Sequence, residues 1–179
     1  MSAVRLLPHY TYEDYCQWEG RWEVIDGIPF AMPSSTPSNQ WIEANILAEL
    51  KGALKVSNSK ECKAYAFVNL KIKEDTILQP DGSIICGSTH KNFIDFPPTL
   101  VVEIISEATA LKDRITKFSI YEKFGIKYYL IVDPEKESVE IYSLENSKYN
   151  LQEFSPENPF TFSLSDDCNI DVVVKNFWE

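Results

Sequence analysis

The sequence predicts an α/β (α+β) fold, a mixed β-sheet flanked by helices and ending in a C-terminal β meander. Three observations predict it. Thr99–Ser106 and Lys127–Asp133 are almost wholly apolar, as strands buried on both faces of a sheet are. Glu107–Phe124, between them, has helical patterning, and Asn39–Val56 is a second amphipathic stretch. Read along the chain, the order is helix, hairpin, helix, several strands, helix, strands, which builds a sheet covered by helices.

Thr11 to Glu19 predicts a short helix, with Thr11 as its N-cap and Asp14 three residues on, the capping-box spacing. Arg21–Met32 predicts a β-hairpin turning at Asp26-Gly27, followed by a polar loop from Pro33 to Asn39. In the Asn39–Val56 helix, Ile42, Ile46, Leu50, Ala53 and Leu54 fall on one stripe about 120° wide. Asn39 and Glu43 project into the same stripe. An amide and a carboxylate on an apolar face mark a helix end or a partly open site.

Cys62–Lys73 alternates as one strand, and Thr76–Cys86 as another, interrupted by Pro80-Asp81-Gly82. Gly125 caps the Glu107–Phe124 helix. On that helix Asp113, Lys117, Ile120 and Phe124 share one face, and Leu111, Ile115, Phe118 and Tyr121 the other, so the helix is expected to pack on both sides. Val139–Leu144 and Lys148–Phe154 form the meander, and Ile170–Val174 adds a last short strand.

The chain has 179 residues, with 44% hydrophobic and 25% charged, the composition of one globular domain spanning 1–179. No apolar run approaches the roughly 20 residues that span a bilayer. Met1–Pro8 lacks a signal peptide's apolar stretch, so a cytoplasmic location without membrane contact is expected. Cys16, Cys62, Cys86 and Cys168 are scattered, never as CxxC, and His9 and His90 stand far apart. That pattern gives no zinc site or disulfide framework, and buried reduced thiols are expected.

The net charge of −10 argues against a general polyanion binder. It is unevenly spread: residues 133–179 carry 11 acids against 3 bases, and residues 1–132 carry 16 against 14. Lysines and arginines thicken around 51–63 and 112–127. Either a phosphate-facing surface on the first three-quarters of the chain or a solvated mixed surface accounts for this.

Glu103 is the most informative residue, because it interrupts Leu100-Val101-Val102-Glu103-Ile104-Ile105. A buried carboxylate must be neutralised, paired or bound to a cation. Asp81 supplies a second acid at a strand break fixed by Pro80. Asp113 and Lys117, four apart, can pair on one helix face. A structural ion pair remains the alternative for both Glu103 and the Asp113–Lys117 couple.

Taken together, Trp22-Glu23-Val24-Ile25-Asp26-Gly27, Gln79-Pro80-Asp81, Val101-Val102-Glu103-Ile104-Ile105-Ser106, the helix from Asp113 through Lys117 and Tyr121 to Gly125, and Tyr128–Pro134 resemble the bacterial Uma-type restriction endonuclease family of the PD-(D/E)xK nuclease superfamily. The match runs in order from about Tyr10 to Tyr142. The resemblance implies a metal-dependent endonuclease. It assigns Asp81 to the PD half-motif, Glu103 to the acidic position of the ExK half-motif, and Glu23 to the early glutamate that completes a Mg²⁺ or Mn²⁺ shell. The lysine expected two residues after Glu103 is replaced by Ile105, and Lys117 resembles the migrated lysine of some branches. Asp113 and Tyr121 match the helix pattern, with Asp113 orienting Lys117. Asn39 stands where the family often has histidine, and Glu43 follows it on the same helix as a supporting residue.

The expected partner is nucleic acid, DNA first, with a homodimer as the form in which related nucleases cut both strands. Two other readings stay open. One is a degenerate nuclease fold kept for binding or scaffolding, which Ile105 and the acidic charge favour. The other is a glycosidase carboxylate pair, which the adjacent lysine and buried strand fit less well.

Overall fold

In the computed structural model, residues 8–32 and 34–179 are described. The signal-peptide reading of Met1–Pro8 therefore falls, except for Pro8, outside the described residues, as does Pro33 of the polar loop. The N-terminal helix is short, α1 (Tyr12–Tyr15). The Thr11 N–H and hydroxyl both donate to Asp14 Oδ2, at 2.8 and 3.0 Å. Strands β1 (Trp22–Ile25) and β2 (Ile28–Ala31) form the expected hairpin, with Ile25 opposite Ile28. Asp26 (φ 47°) and Gly27 (φ 77°) are both left-handed, as a two-residue hairpin turn of this hand requires. Gly27 is needed twice over, since a Cβ there would lie 2.3 Å from the His9 ring.

Helix α2 (Pro37–Val56) starts two residues earlier than the periodicity suggested. Thr36 caps it by accepting the Asn39 N–H at 3.2 Å, and Pro37 opens it. Its buried residues are Ile42, Ile46, Leu50 and Leu54, the predicted stripe.

The expectation of one strand over Cys62–Lys73 is corrected. The segment is two strands in different sheets, β3 (Cys62–Ala66) and β4 (Leu70–Lys73). Phe67 breaks it with φ 49°, a conformation no strand residue adopts. Pro80-Asp81 likewise divides β5 (Thr76–Leu78) from β6 (Gly82–Cys86), and these too join different sheets.

Strands β7 (Leu100–Ile104), β8 (Tyr128–Asp133), β9 (Ser138–Glu145) and β10 (Lys148–Leu151) complete a six-stranded mixed sheet of order β10-β9-β8-β7-β6-β3. Only β7 and β8 are parallel, with Glu103 opposite Ile131. The hairpin belongs to a four-stranded sheet of order β2-β1-β5-β4. The last predicted strand is half of a separate hairpin, β11 (Phe160–Ser165) with β12 (Cys168–Val172). β11, which the sequence reading passed over, buries Phe162 and Leu164 at alternate positions.

The two faces of the six-stranded sheet differ. Leu100, Val102, Leu130, Val132 and Ile141 pack with the α2 stripe and the β11–β12 hairpin. Val101, Tyr129 and Ile131, on the other face, pack with Tyr121, Ile105 and Ile126 beneath the second long helix.

That helix contains a π-helical segment, Lys112–Lys117, running into α3 (Phe118–Phe124), and ends at Gly125 with φ 91°. The wide turns change the expected faces. A four-residue step overshoots a full turn of α-helix but falls short of a π-helical one. The steps from Asp113 to Lys117 and from Lys117 to Tyr121 therefore offset one another, and all three side chains stack in one buried row. Tyr121 thus joins the charged face instead of the opposite stripe. Leu111 and Ile115, expected to pack, are 73% and 61% exposed.

The expectation of four reduced, buried thiols is also corrected. Cys62 and Cys86 are cross-strand partners in the β3–β6 register and form a disulfide. Cys168 is free and buried, and Cys16 is free and exposed. Among the described residues, no helix is long and apolar enough to cross a membrane.

Candidate active site

Four elements converge at one end of the β7–β8 pair. β1 carries Glu23, the β5–β6 corner carries Asp81, β7 carries Glu103, and the π-helical segment carries Asp113 and Lys117. Burial of Glu103 follows from its strand: Val101 and Ile105, its neighbours on the same face, are core residues.

Lys117, 2% exposed, lies within ion-pair distance of three carboxylates. Its Nζ is 2.8 Å from Glu23 Oε1, 2.9 Å from Glu103 Oε1 and 3.3 Å from Asp113 Oδ1. Asp113 Oδ1 is buried and, despite that proximity, makes no aligned hydrogen bond. Tyr121 Oη donates to Glu103 Oε1 at 2.6 Å, and Tyr129 Oη donates to the Asp113 carbonyl at 3.1 Å. Glu23, fully buried, accepts from Lys112 Nζ at 2.8 Å and from the Gln79 N–H at 3.2 Å. Asp81 is partly exposed, and its Oδ2 accepts the Ile104 N–H at 2.8 Å.

Electrostatics divides these acids into two kinds. Burial pushes the Glu23 carboxyl up, but Lys117 and Lys112 outweigh it and hold the group below the usual range. Burial dominates at Glu103 and raises it well above that range, although Lys117 pulls it back. Asp81 is likewise raised by burial against the Ile104 hydrogen bond. For Lys117, burial favours losing the proton, yet Glu103, Glu23 and Asp113 outweigh it and hold the ammonium well above its ordinary value. Lys117 is thus a fixed positive charge. Glu23 is favoured as an anion, whereas burial works against the charged forms of Asp81 and Glu103.

The cleft over these groups is about 280 Å³ and is lined by Arg21, Asn39, Asp81, Glu103, Lys112 and Lys117, among others. Asn39 therefore borders it. Glu43 lies one turn along α2 in an adjoining cavity of about 730 Å³, which shares Arg21 and Ser35 with the cleft. Burial raises Glu43 to about 7, with the Asp81 charge adding to the effect.

Hard carboxylate oxygens suit a divalent cation such as Mg²⁺, which is bound through one or two carboxylates with water and substrate phosphate completing the shell. Asp81 and Glu103, which both line the cleft, are the carboxylates that could take that role. Glu23 is taken up by two lysines and a backbone amide. Among the described residues, no three His, Cys, Asp or Glu side chains cluster as a ready cage.

Lys112 and Arg21 were not among the residues singled out in the sequence. Lys112 belonged to the basic thickening around the second long helix. Arg21 stands two before Glu23, which by strand alternation puts both on one side.

The whole architecture is shared with a solved structure, the crystal structure of a "putative nuclease belonging to DUF820" from Anabaena variabilis. The two superpose with a TM-score of 0.74 over 94% of this chain and 97% of that one, at 14% sequence identity. By sequence, the chain is similar to the uncharacterized protein slr1290 of Synechocystis sp., with 26% identity over 151 residues, 76% of this chain and 75% of the relative. A family model described as "Uma2: Putative restriction endonuclease" matches residues 11–168, and the chain belongs to that family.

Proposed function

We propose that this protein is a cytoplasmic Mg²⁺- or Mn²⁺-dependent endonuclease that hydrolyses phosphodiester bonds in nucleic acid, DNA first. The observation that carries the reading is the pair Asp81 and Glu103. Both carboxylates line one cleft beside a locked lysine, and burial pushes both upward.

In this reading Asp81 and Glu103 hold the ion, and Glu23 joins them only by releasing a lysine. When bound, the ion polarises a non-bridging phosphate oxygen and acidifies a water. Lys117, already held as a cation, acts through its charge on the pentavalent phosphate and not as a base. Asp113 fixes Lys117, and Tyr121 fixes Glu103. Asn39 and Glu43 border the path of the chain. One cleft per protein serves one strand at a time, and a homodimer is the form in which both strands of a duplex would be cut together.

A second reading, a nuclease fold kept for binding, draws on Ile105. The residue where the superfamily lysine is expected is 5% exposed and part of the core, leaving Lys117 to supply the charge from the helix.

The test is cleavage of plasmid, single-stranded DNA and RNA with Mn²⁺, wild type beside Glu103→Gln, with Mn²⁺ affinity measured calorimetrically. The nuclease reading expects wild-type cleavage and a loss on the order of thousandfold in the variant. It also expects weakened Mn²⁺ binding. Linear plasmid formed without a nicked-circle intermediate would report paired copies. Unchanged cleavage and metal affinity in Glu103→Gln would sink the assignment. Folded wild type that binds nucleic acid without cutting it would leave the second reading.

A further inference from the structure

Arg21 stands where the cleft over Asp81 and Glu103 opens into the adjoining cavity beside Glu43, and it lines both. Its guanidinium is held on two sides. The Cζ lies 3.7 Å from the centroid of the Phe67 ring, and Nε donates to Gln79 Oε1 at 3.2 Å. Gln79 is fixed in turn. Its Nε2 donates to Asn69 Oδ1 at 2.7 Å and to Tyr15 Oη at 2.9 Å, and Tyr15 Oη donates to Asn69 Oδ1 at 2.8 Å. The Gln79 N–H is tied to Glu23. Phe67, which receives the guanidinium, is the left-handed residue that splits β3 from β4.

All this orientation leaves one edge unused. Arg21 Nη2 is buried and has no hydrogen-bond partner, and among the described residues Arg21 forms no ion pair. A desolvated donor on a permanent cation is costly to leave unmet, and a planar, pre-oriented guanidinium matches a phosphate's oxygens. The nearby charge also calls for it. Asp81 lines the cleft and Glu43 the adjoining cavity, and Arg21 lines both. A polyanion threading between two acids needs a fixed positive charge at that point.

We propose that Arg21, half-buried where the cleft passes into the adjoining cavity, is a substrate-binding residue whose guanidinium grips a phosphate of the nucleic-acid strand, with Nη2 gaining the acceptor it lacks as the strand displaces the contacts that cover it. The inference rests on the nuclease reading and adds the direction of the strand: over Arg21 and along the start of α2. Phe67, Gln79, Asn69 and Tyr15 are positioning residues that act through the guanidinium.

The experiment measures binding of a fluorescent single-stranded DNA oligonucleotide to the full chain by anisotropy, over a range of salt, with Ca²⁺ in place of Mn²⁺. Arg21→Gln should weaken binding roughly tenfold to hundredfold, the worth of charged hydrogen bonds. It should also reduce the slope of log affinity against log salt by about 0.7. Mn²⁺ affinity should stay within a factor of about two to three of wild type, as expected of a residue outside the metal shell. Arg21→Lys should restore the slope but only part of the affinity, because the charge returns without the fork. Gln79→Leu, which frees the guanidinium without removing it, should give a smaller loss and keeps the test open if Arg21→Gln folds poorly. A prop for the fold would lower stability and leave the salt slope alone. If folded Arg21→Gln or Gln79→Leu binds with wild-type affinity and slope while wild type cleaves DNA, the Arg21 inference fails and the nuclease reading stands. If wild type binds no oligonucleotide and cleaves none, both fail.

Discussion

Neighbouring residues on one strand show how differently the two faces of the six-stranded sheet are used. On β7, Val102 lies in the apolar cluster with α2, whereas Glu103, the next residue, faces Lys117 and Tyr121. The first face is held by area removed from water, which is indifferent to which apolar atoms meet. The second depends on charges being paired, and it fails if one partner leaves. The site is an exception in a sheet whose other side is closed by apolar packing.

Removing the central charge should have the largest effect. Lys117→Met leaves Glu23 and Glu103 buried without their shared cation and should cost about 3–5 kcal/mol near neutral pH. The sign of its pH dependence follows from the same logic. Carboxylates left unpaired bind protons more tightly folded than unfolded, so stability should recover as the pH falls and be lost as it rises. Urea unfolding at two pH values reads this, and a deficit that grows in acid would contradict the charge account. Leu130→Ala, on the apolar face, should cost about 2–5 kcal/mol. It should do so equally at both pH values and with Mn²⁺ affinity intact; a pH-dependent loss there would mean that the two faces are not separable.

The smallest effect belongs to Glu43. Its carboxyl is raised to about 7 from an ordinary 4.5, so the folded state holds the proton more tightly than the unfolded one. Stability should therefore fall as pH rises from about 4.5 to about 7 and level off above it. Glu43→Gln should flatten that slope. The change should stay well below the two core effects, because the side chain is partly exposed and screened. A thermal-unfolding series across pH checks it, and an unchanged slope would remove Glu43 from the electrostatics of the cleft.

What could be read from the sequence followed local rules. An acid inside an apolar strand announced Glu103, a Pro-Asp break announced Asp81, and four-residue spacing announced the Asp113–Lys117 pair. The hairpin was plain because Asp26-Gly27 has one good conformation. Features that depend on partners distant in the chain were hidden. Whether Cys62 meets Cys86 depends on strand register, and whether Cys62–Lys73 is one strand depends on the φ of Phe67. The π-helical turns mattered most, because helical periodicity assumes a constant turn. That assumption placed Leu111 and Ile115 in the core and Tyr121 away from the lysine. Arg21 escaped notice because its importance lies in the hydrogen bond it does not make.

The parallel pairing of β7 with β8 has a consequence for motion. Glu103, Asp113, Lys117, Tyr121 and Tyr129 all lie in one uninterrupted strand–helix–strand stretch, residues 100–133, while Arg21, Glu23 and Asp81 arrive from other sheets and corners. Proteins open in contiguous cooperative units. If the N-terminal hairpin detaches first, amides in residues 22–31 should exchange with solvent well before those of β7 and β8. Lys117 would lose Glu23 yet keep Glu103 and Asp113. The lysine would still have acidic partners in the half that remains, so this fold can breathe at its cleft without stranding its buried lysine.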